Sequence, residues 1–225
     1  MPDTKFSWRG LREHLRKYLF IYLVGIALGL VGAELLWTMT RPRIPNEASV
    51  NIYLATDYSN AEPLNALAPD LLSRVQADDP AIRQVYFESL MYNDQVYTSS
   101  MLLMTRLSVG ECDAFLASPL AMDALVDSGA LLPLDDALAR GWMSAYDLEP
   151  YVVTTEDEDT GVSATWTAGL RLDSVDALAQ MGAFDNRGAF LCVAAESGNE
   201  AAAMKTLEYL MSDLTEASDA ATKAA

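Results

Sequence analysis

Apolar and polar positions fall into three regimes along this chain: one long apolar run, then alternating strand-like and helix-like segments, then a short polar end. The run YLFIYLVGIALGLVGAELLWTMT, from Tyr18 to Thr40, carries a single charge, Glu34. At about 1.5 Å per residue, its most apolar part matches a hydrocarbon layer of roughly 30 Å, so 18–40 is predicted to be a membrane-spanning helix. Tyr18 and Tyr22 stand near one end and Trp37 near the other, where amphipathic rings favour the interface. Glu34 lies one turn from the far end, within reach of headgroup water. Arg41-Pro-Arg-Ile-Pro45 follows, and its two prolines predict a short stiff linker over 41–48.

From Ser49 the period changes. SVNIYLAT (49–56) is rich in β-branched and aromatic residues and predicts a buried strand. Leu64, Leu67, Leu71, Leu72 and Val75 recur at helical spacing and predict a helix over 61–76. A second strand is expected over 82–91, a second helix over 93–109 and a third strand over 113–118. Pro119 then opens a helix that Ser128-Gly129 closes. Strand–helix–strand units at this spacing imply parallel pairing with right-handed crossovers, hence a single three-layer α/β lobe over 49–214. The second half predicts two strands, 151–155 and 162–172, around the acidic turn Glu156-Asp-Glu-Asp-Thr-Gly161. A short helix over 174–181, a strand over 189–195 and a helix capped by Asn199 and running to Leu214 complete the lobe. Residues 215–225 are small and polar and are expected to form a flexible tail.

Charge separates the regimes further. The formal net charge is −17, yet the segment before residue 44 is net basic. Five Lys or Arg precede the apolar run and two follow it, so residues 1–17 are expected in the cytoplasm and the domain outside it, at the cell membrane. A cleaved signal peptide is the other reading, with Val31-Gly32-Ala33 as the cleavage site; the apolar run continues past it through Trp37, which favours retention. No cysteine lies near the run for a lipid anchor. The outer segment lacks the clustered Lys and Arg that phosphate binding needs, so nucleic acid is a poor partner. Its acidic surface is also repelled by anionic headgroups.

Candidate chemistry is sparse. The lone histidine, His14, precedes the apolar run, so the domain has no histidine for a nucleophile pair or a metal site. Lys205 and Lys223 are its only lysines, which leaves a Ser–Lys dyad little to draw on. These absences argue against a hydrolase, and no cofactor is expected. The 156–159 carboxylates read either as a loose Ca²⁺ site or as a solvated hairpin tip. Asp135-Asp136 read either as an acid/base pair or as a loop or helix cap. Cys112 and Cys192 each border or lie in a predicted strand, and admit either a disulfide or two small buried residues.

Asp113-Ala-Phe-Leu-Ala-Ser118 with Gly129-Ala-Leu-Leu-Pro-Leu-Asp-Asp136 resembles a stretch of bacterial extracellular solute-binding proteins, of the type II periplasmic-binding-protein kind. There a D-x-F-L strand and a helix lead into a G-x-L-x-P-L-D-D turn. Thr165-Trp-Thr-Ala-Gly-Leu-Arg-Leu-Asp173 is similar to their hairpin strand, with Arg171 in place of the usual proline. Residues 193–211 are similar to their closing strand and helix. The resemblance implies one lobe of such a protein, since 174–187 stand where the second lobe would be inserted. A single lobe lacks half of the usual ligand contacts and cannot close on a hinge. The implied role is a tethered docking module beside a transporter or another envelope protein. The alternative is a small-solute receptor whose cleft a second chain completes.

In open α/β sheets the ligand surface lies at the C-terminal ends of parallel strands. That predicts Thr56, Asp57 and Tyr58 after the first strand, Tyr92 and Asn93 after the second, and Ser118 after the third. Trp166 adds a stacking face on the hairpin. Helix capping and turn formation compete for Asp57 and Asn93, and the core competes for Trp166.

Overall fold

The computed structural model describes residues 8–40, 44–93, 97–156, 163–195 and 197–224. Most of the predicted acidic turn (157–162), linker residues 41–43 and positions 94–96 of the second helix lie outside them. The chain forms two separate units, Met1–Arg43 and Ile44–Ala225.

The first unit holds helix α1, Trp8–Thr40. Its stretch Arg16–Thr38 has a mean hydropathy of 2.3 and none of it is buried in the protein, so it is long and apolar enough to cross a bilayer. The helix begins well before Tyr18, because Leu11 to Lys17 contain neither proline nor a β-branched residue to stop it.

In the second unit a 3₁₀ turn, Asn46–Ala48, leads into β1 (Ser49–Thr56). Then follow α2 (Glu62–Asp78), β2 (Gln84–Met91), α3 (Tyr97–Ser108), β3 (Ala114–Ala117) and α4 (Pro119–Asp127). The second half runs α5 (Asp135–Ala139), β4 (Pro150–Glu156), β5 (Ser163–Arg171), α6 (Asp176–Gln180), β6 (Phe190–Val193) and α7 (Glu200–Ala224). One mixed sheet results, in the order β2-β1-β3-β6-β5-β4. β1 runs parallel to both β2 and β3, as the strand–helix–strand spacing predicts. β6 returns antiparallel beside β3 and carries the antiparallel β5–β4 hairpin beyond it.

Side-chain alternation along the strands divides the core in two. Val50, Ile52 and Leu54 of β1 face Leu64, Leu71 and Val75 of α2 and Leu207, Leu210 and Leu214 of α7. Tyr53 and Ala55 face the opposite way, with Phe115, Phe190 and Cys192, against Leu103 of α3 and Met122 and Leu125 of α4. Helices therefore cover both faces of the sheet. Gly169 lets β5 approach β6 closely, since a Cβ there would stand 2.8 Å from Leu191 O and 3.1 Å from Met122 Cε.

One expectation, the tail, is corrected, and two open pairs of readings are decided. Of the two readings of Cys112 and Cys192, the structure has the second: both are free and buried. Phe115 is the residue paired with Cys192, and Cys112 lies three positions further along, about 10 Å at strand rise. A disulfide needs Cα atoms within about 7 Å. The expected tail is not separate: α7 continues through it to Ala224, because Ala, Glu and Lys dominate that stretch and favour a helix. Asp135 and Asp136 stand in the first turn of α5, in keeping with the helix-start reading of this pair, although α5 itself is absent from the sequence expectation.

One buried charge ties the parts together. Asp113, 2% exposed, accepts the Asn51 N–H at 2.7 Å and side-chain hydrogen bonds from Ser197 and Asn199. The Asn199 amide in turn donates to Asn46 O and Ser49 O, at 2.7 and 2.9 Å. The starts of β1, β3 and α7 thus meet at one carboxylate. Burial pushes its pKa from 3.8 up to about 6, with those hydrogen bonds opposing the rise. A value raised by folding means the native state binds the proton more tightly, so this group's contribution is full below about pH 4 and is lost as pH rises to about 6. The loss is at most about 3 kcal/mol. Asp113→Asn cannot ionise. Urea denaturation of wild type and variant should show the wild type losing about 1–3 kcal/mol relative to the variant between about pH 4 and pH 7.

Candidate functional site

The parallel strands end together. Tyr92 N donates to Thr56 O at 2.9 Å, and Ser118 N donates to Ala55 O at 2.8 Å, so the residues after β1, β2 and β3 form one rim. Six of the seven predicted residues lie on it, and three of those are spent on the fold. Thr56 is buried and its hydroxyl donates to Tyr58 O at 2.8 Å, closing the turn. Tyr92 is buried in the α3/α4 core. Ser118 caps α4, accepting from Ala121 N.

The other three are available. Asp57 and Tyr58 are exposed, Tyr58 at 71%. Asn93 is half-buried, and its side-chain oxygen Oδ1 is buried with no hydrogen-bond partner among the described residues. A buried amide oxygen left unpaired costs about 1–3 kcal/mol, which makes it an acceptor awaiting a donor.

Beside this rim lies a groove of about 500 Å³ lined by Tyr58, Asp176, Gln180, Phe184, Asp185 and Arg187. Its walls are fixed by hydrogen bonds to main-chain carbonyls. Asn60 N donates to Ala183 O at 2.7 Å, and the buried Asn186 amide donates to Leu172 O at 2.9 Å and Asp173 O at 3.2 Å. Arg187 faces Asp185 at 4.0 Å, both well exposed, so the groove presents carboxylates, one guanidinium and an aromatic hydroxyl to solvent. Such a set can hold polar or cationic groups. Asp176, Gln180 and Arg187 were not expected here. They come from the 174–187 segment, which the Asn60–Ala183 bond and the burial of Leu178, Ala183 and Phe184 in the core hold near Tyr58.

Trp166 is not on the rim. β5 runs antiparallel with Arg171 beside Phe190, and Phe190 lies beside Ala117 at the end of β3. Five residues separate Trp166 from Arg171, so it stands about 16 Å away, toward the opposite end of the sheet. There it is half-buried against the α3/α4 core and donates to Thr155 Oγ1 at 3.3 Å.

The remaining candidates are structural in their contacts. Asp135 accepts from Thr167 N at 3.0 Å and Thr167 Oγ1 at 2.9 Å, and the N–H bond holds its carboxyl below the usual range. It stays ionised at neutral pH and pins α5 to β5. Burial pushes the Cys112 thiol up to about 12 and raises Cys192 as well, so both remain thiols. Among the described residues, no group of three or more His, Cys, Asp or Glu side chains is placed to hold a metal ion.

The mixed sheet with helices on both faces defines an α/β domain. No protein-family model matches the chain. No curated protein matches it either. Among solved structures it is similar in part to the spermidine/putrescine ABC transporter substrate-binding protein of Streptococcus pneumoniae. That similarity is 22% identical over 40% of this chain and 23% of the other, with a TM-score of 0.24.

The unpaired oxygen makes a specific prediction. Asn93→Leu deletes a buried acceptor that the free protein leaves unsatisfied. It should leave stability unchanged or raise it by about 1 kcal/mol in chemical denaturation, instead of the usual loss from a buried polar deletion.

Proposed function

We propose that this chain is a membrane-tethered binding module, resembling one lobe of a solute-binding protein, that α1 presents outside the cytoplasm. The domain docks a partner of the cell envelope, such as a transporter component, through the rim at the ends of β1, β2 and β3. Binding rather than catalysis is its role. The observation that carries this reading is Asn93 Oδ1, buried and unpaired beside the exposed Asp57 and Tyr58. A fold leaves such an acceptor unsatisfied at a cost, and function is the usual compensation.

Two features support docking over a closed solute receptor. The rim is one-sided: Tyr58 is 71% exposed, and among the described residues nothing covers its far side. The groove beside it is bounded by α6 and the short segment after it, and contains no second α/β lobe. The orientation of α1 follows the basic residues that precede its apolar stretch.

Residues 44–225 form their own compact unit and suit a thermal-shift screen against sugars, amino acids, peptides and metal ions. A docking module is expected to show no shift with small solutes. A ligand present at about 100 times its dissociation constant adds roughly 2.7 kcal/mol, or several degrees for a domain of this size. A shift of that size with one solute class, lost in Tyr58→Ala, would establish the small-solute receptor instead.

A further inference from the structure

β2 is one outer strand of the sheet, so its main chain is paired only on the side facing β1. N–H and C=O groups of alternate residues point outward from such an edge and need other partners. Tyr92 N bonds toward β1, which sets the even-numbered residues inward and Phe87, Ser89 and Met91 outward. At Phe87 the Asn65 side chain acts as a substitute strand. Its Nδ2 donates to Phe87 O at 2.7 Å and its Oδ1 accepts from Phe87 N at 2.9 Å. The edge is closed there by α2. At Ser89 and Met91 no such substitute exists among the described residues.

That open stretch borders a groove of about 440 Å³ between β2 and α3. Met91 forms one wall, and Thr98, Met101, Leu102 and Thr105 the other. Met91 and Met101 are 59% and 60% exposed. No lining residue carries a charge, in a chain whose net charge is −17. The nearby Arg106 is committed to Glu88 and Glu111 and lies over the Tyr53 ring. Free main-chain donors and acceptors beside flexible apolar walls match one kind of occupant: an extended main chain whose side chains are apolar and uncharged.

We propose that the β2–α3 groove docks an extended, uncharged apolar segment of a partner polypeptide, added to the sheet as a seventh strand beside β2. Ser89 and Met91 supply the main-chain bonds, and Met91, Met101 and Leu102 seat alternate side chains. Asn65 limits the register by closing the edge at Phe87. This site adjoins the strand-end rim, since Met91 pairs with Thr56, but does not depend on the role proposed for the rim.

A phage-displayed library of random peptides, panned against the detergent-solubilised full chain, supplies the probe. Selected peptides should alternate apolar with uncharged residues, bind equally at low and high salt, and slow amide exchange at Ser89 and Met91 by about tenfold or more. Met101→Glu, at an exposed position, should weaken that binding by about tenfold or more. Ser89→Pro, which removes one outward N–H, should do the same without unfolding the edge strand. Salt-sensitive cationic peptides, exchange protection elsewhere, or binding unaffected by Met101→Glu would overturn the proposal. Protection at Ser89 and Met91 that grows with protein concentration in the absence of peptide would overturn it too, in favour of a second copy of this chain.

Discussion

Strand β1 has no polar face, and that constraint organises the domain. Val50, Ile52 and Leu54 on one side and Tyr53 and Ala55 on the other are all buried, so helices must cover the sheet on both faces and strands must flank β1 on both edges. Around β1 the sheet is enclosed, so its strand ends and lateral edges carry much of its contact with the surroundings. Among the described residues, Asn93 Oδ1 at the strand-end rim and the outward main chain of Ser89 and Met91 on the edge of β2 lie at such places.

The same enclosure explains how charge is handled. Asp113 has no cationic partner among the hydrogen bonds that hold it, and ties the starts of β1, β3 and α7 with main-chain and neutral side-chain donors. The junction holds the first strand to the last helix, at the end of the sheet opposite the strand-end rim. A buried carboxylate at that junction is costly when ionised, whereas Asp135, on the surface and held by Thr167, favours its ionised form. Position relative to the sheet separates the two acids.

Much of the fold was legible because strand and helix periods are strong local signals. SVNIYLAT gave β1 without a residue of error, and Pro119 with Ser118 gave the start of α4. The pairing of β6 was less legible: four buried residues, Phe190–Val193, reveal a strand but not that it runs antiparallel between β3 and β5. The site followed the same division. Thr56, Asp57, Tyr58, Tyr92, Asn93 and Ser118 gather on one rim because parallel strands end together. Trp166 does not, since its place depends on the direction of β5, which only pairing to β6 fixes. No pattern could announce that Asn93 would lack a partner, because satisfaction of a polar group is decided by neighbours distant in sequence.

In the proposed role the strand-end rim, and not the opposite end of the sheet, meets the partner. A photocrosslinking amino acid placed at Tyr58, and separately at Trp166, in the full chain in its native membrane tests it most directly. The account predicts a discrete adduct from position 58 and none from position 166. Adducts from position 166 alone would contradict it.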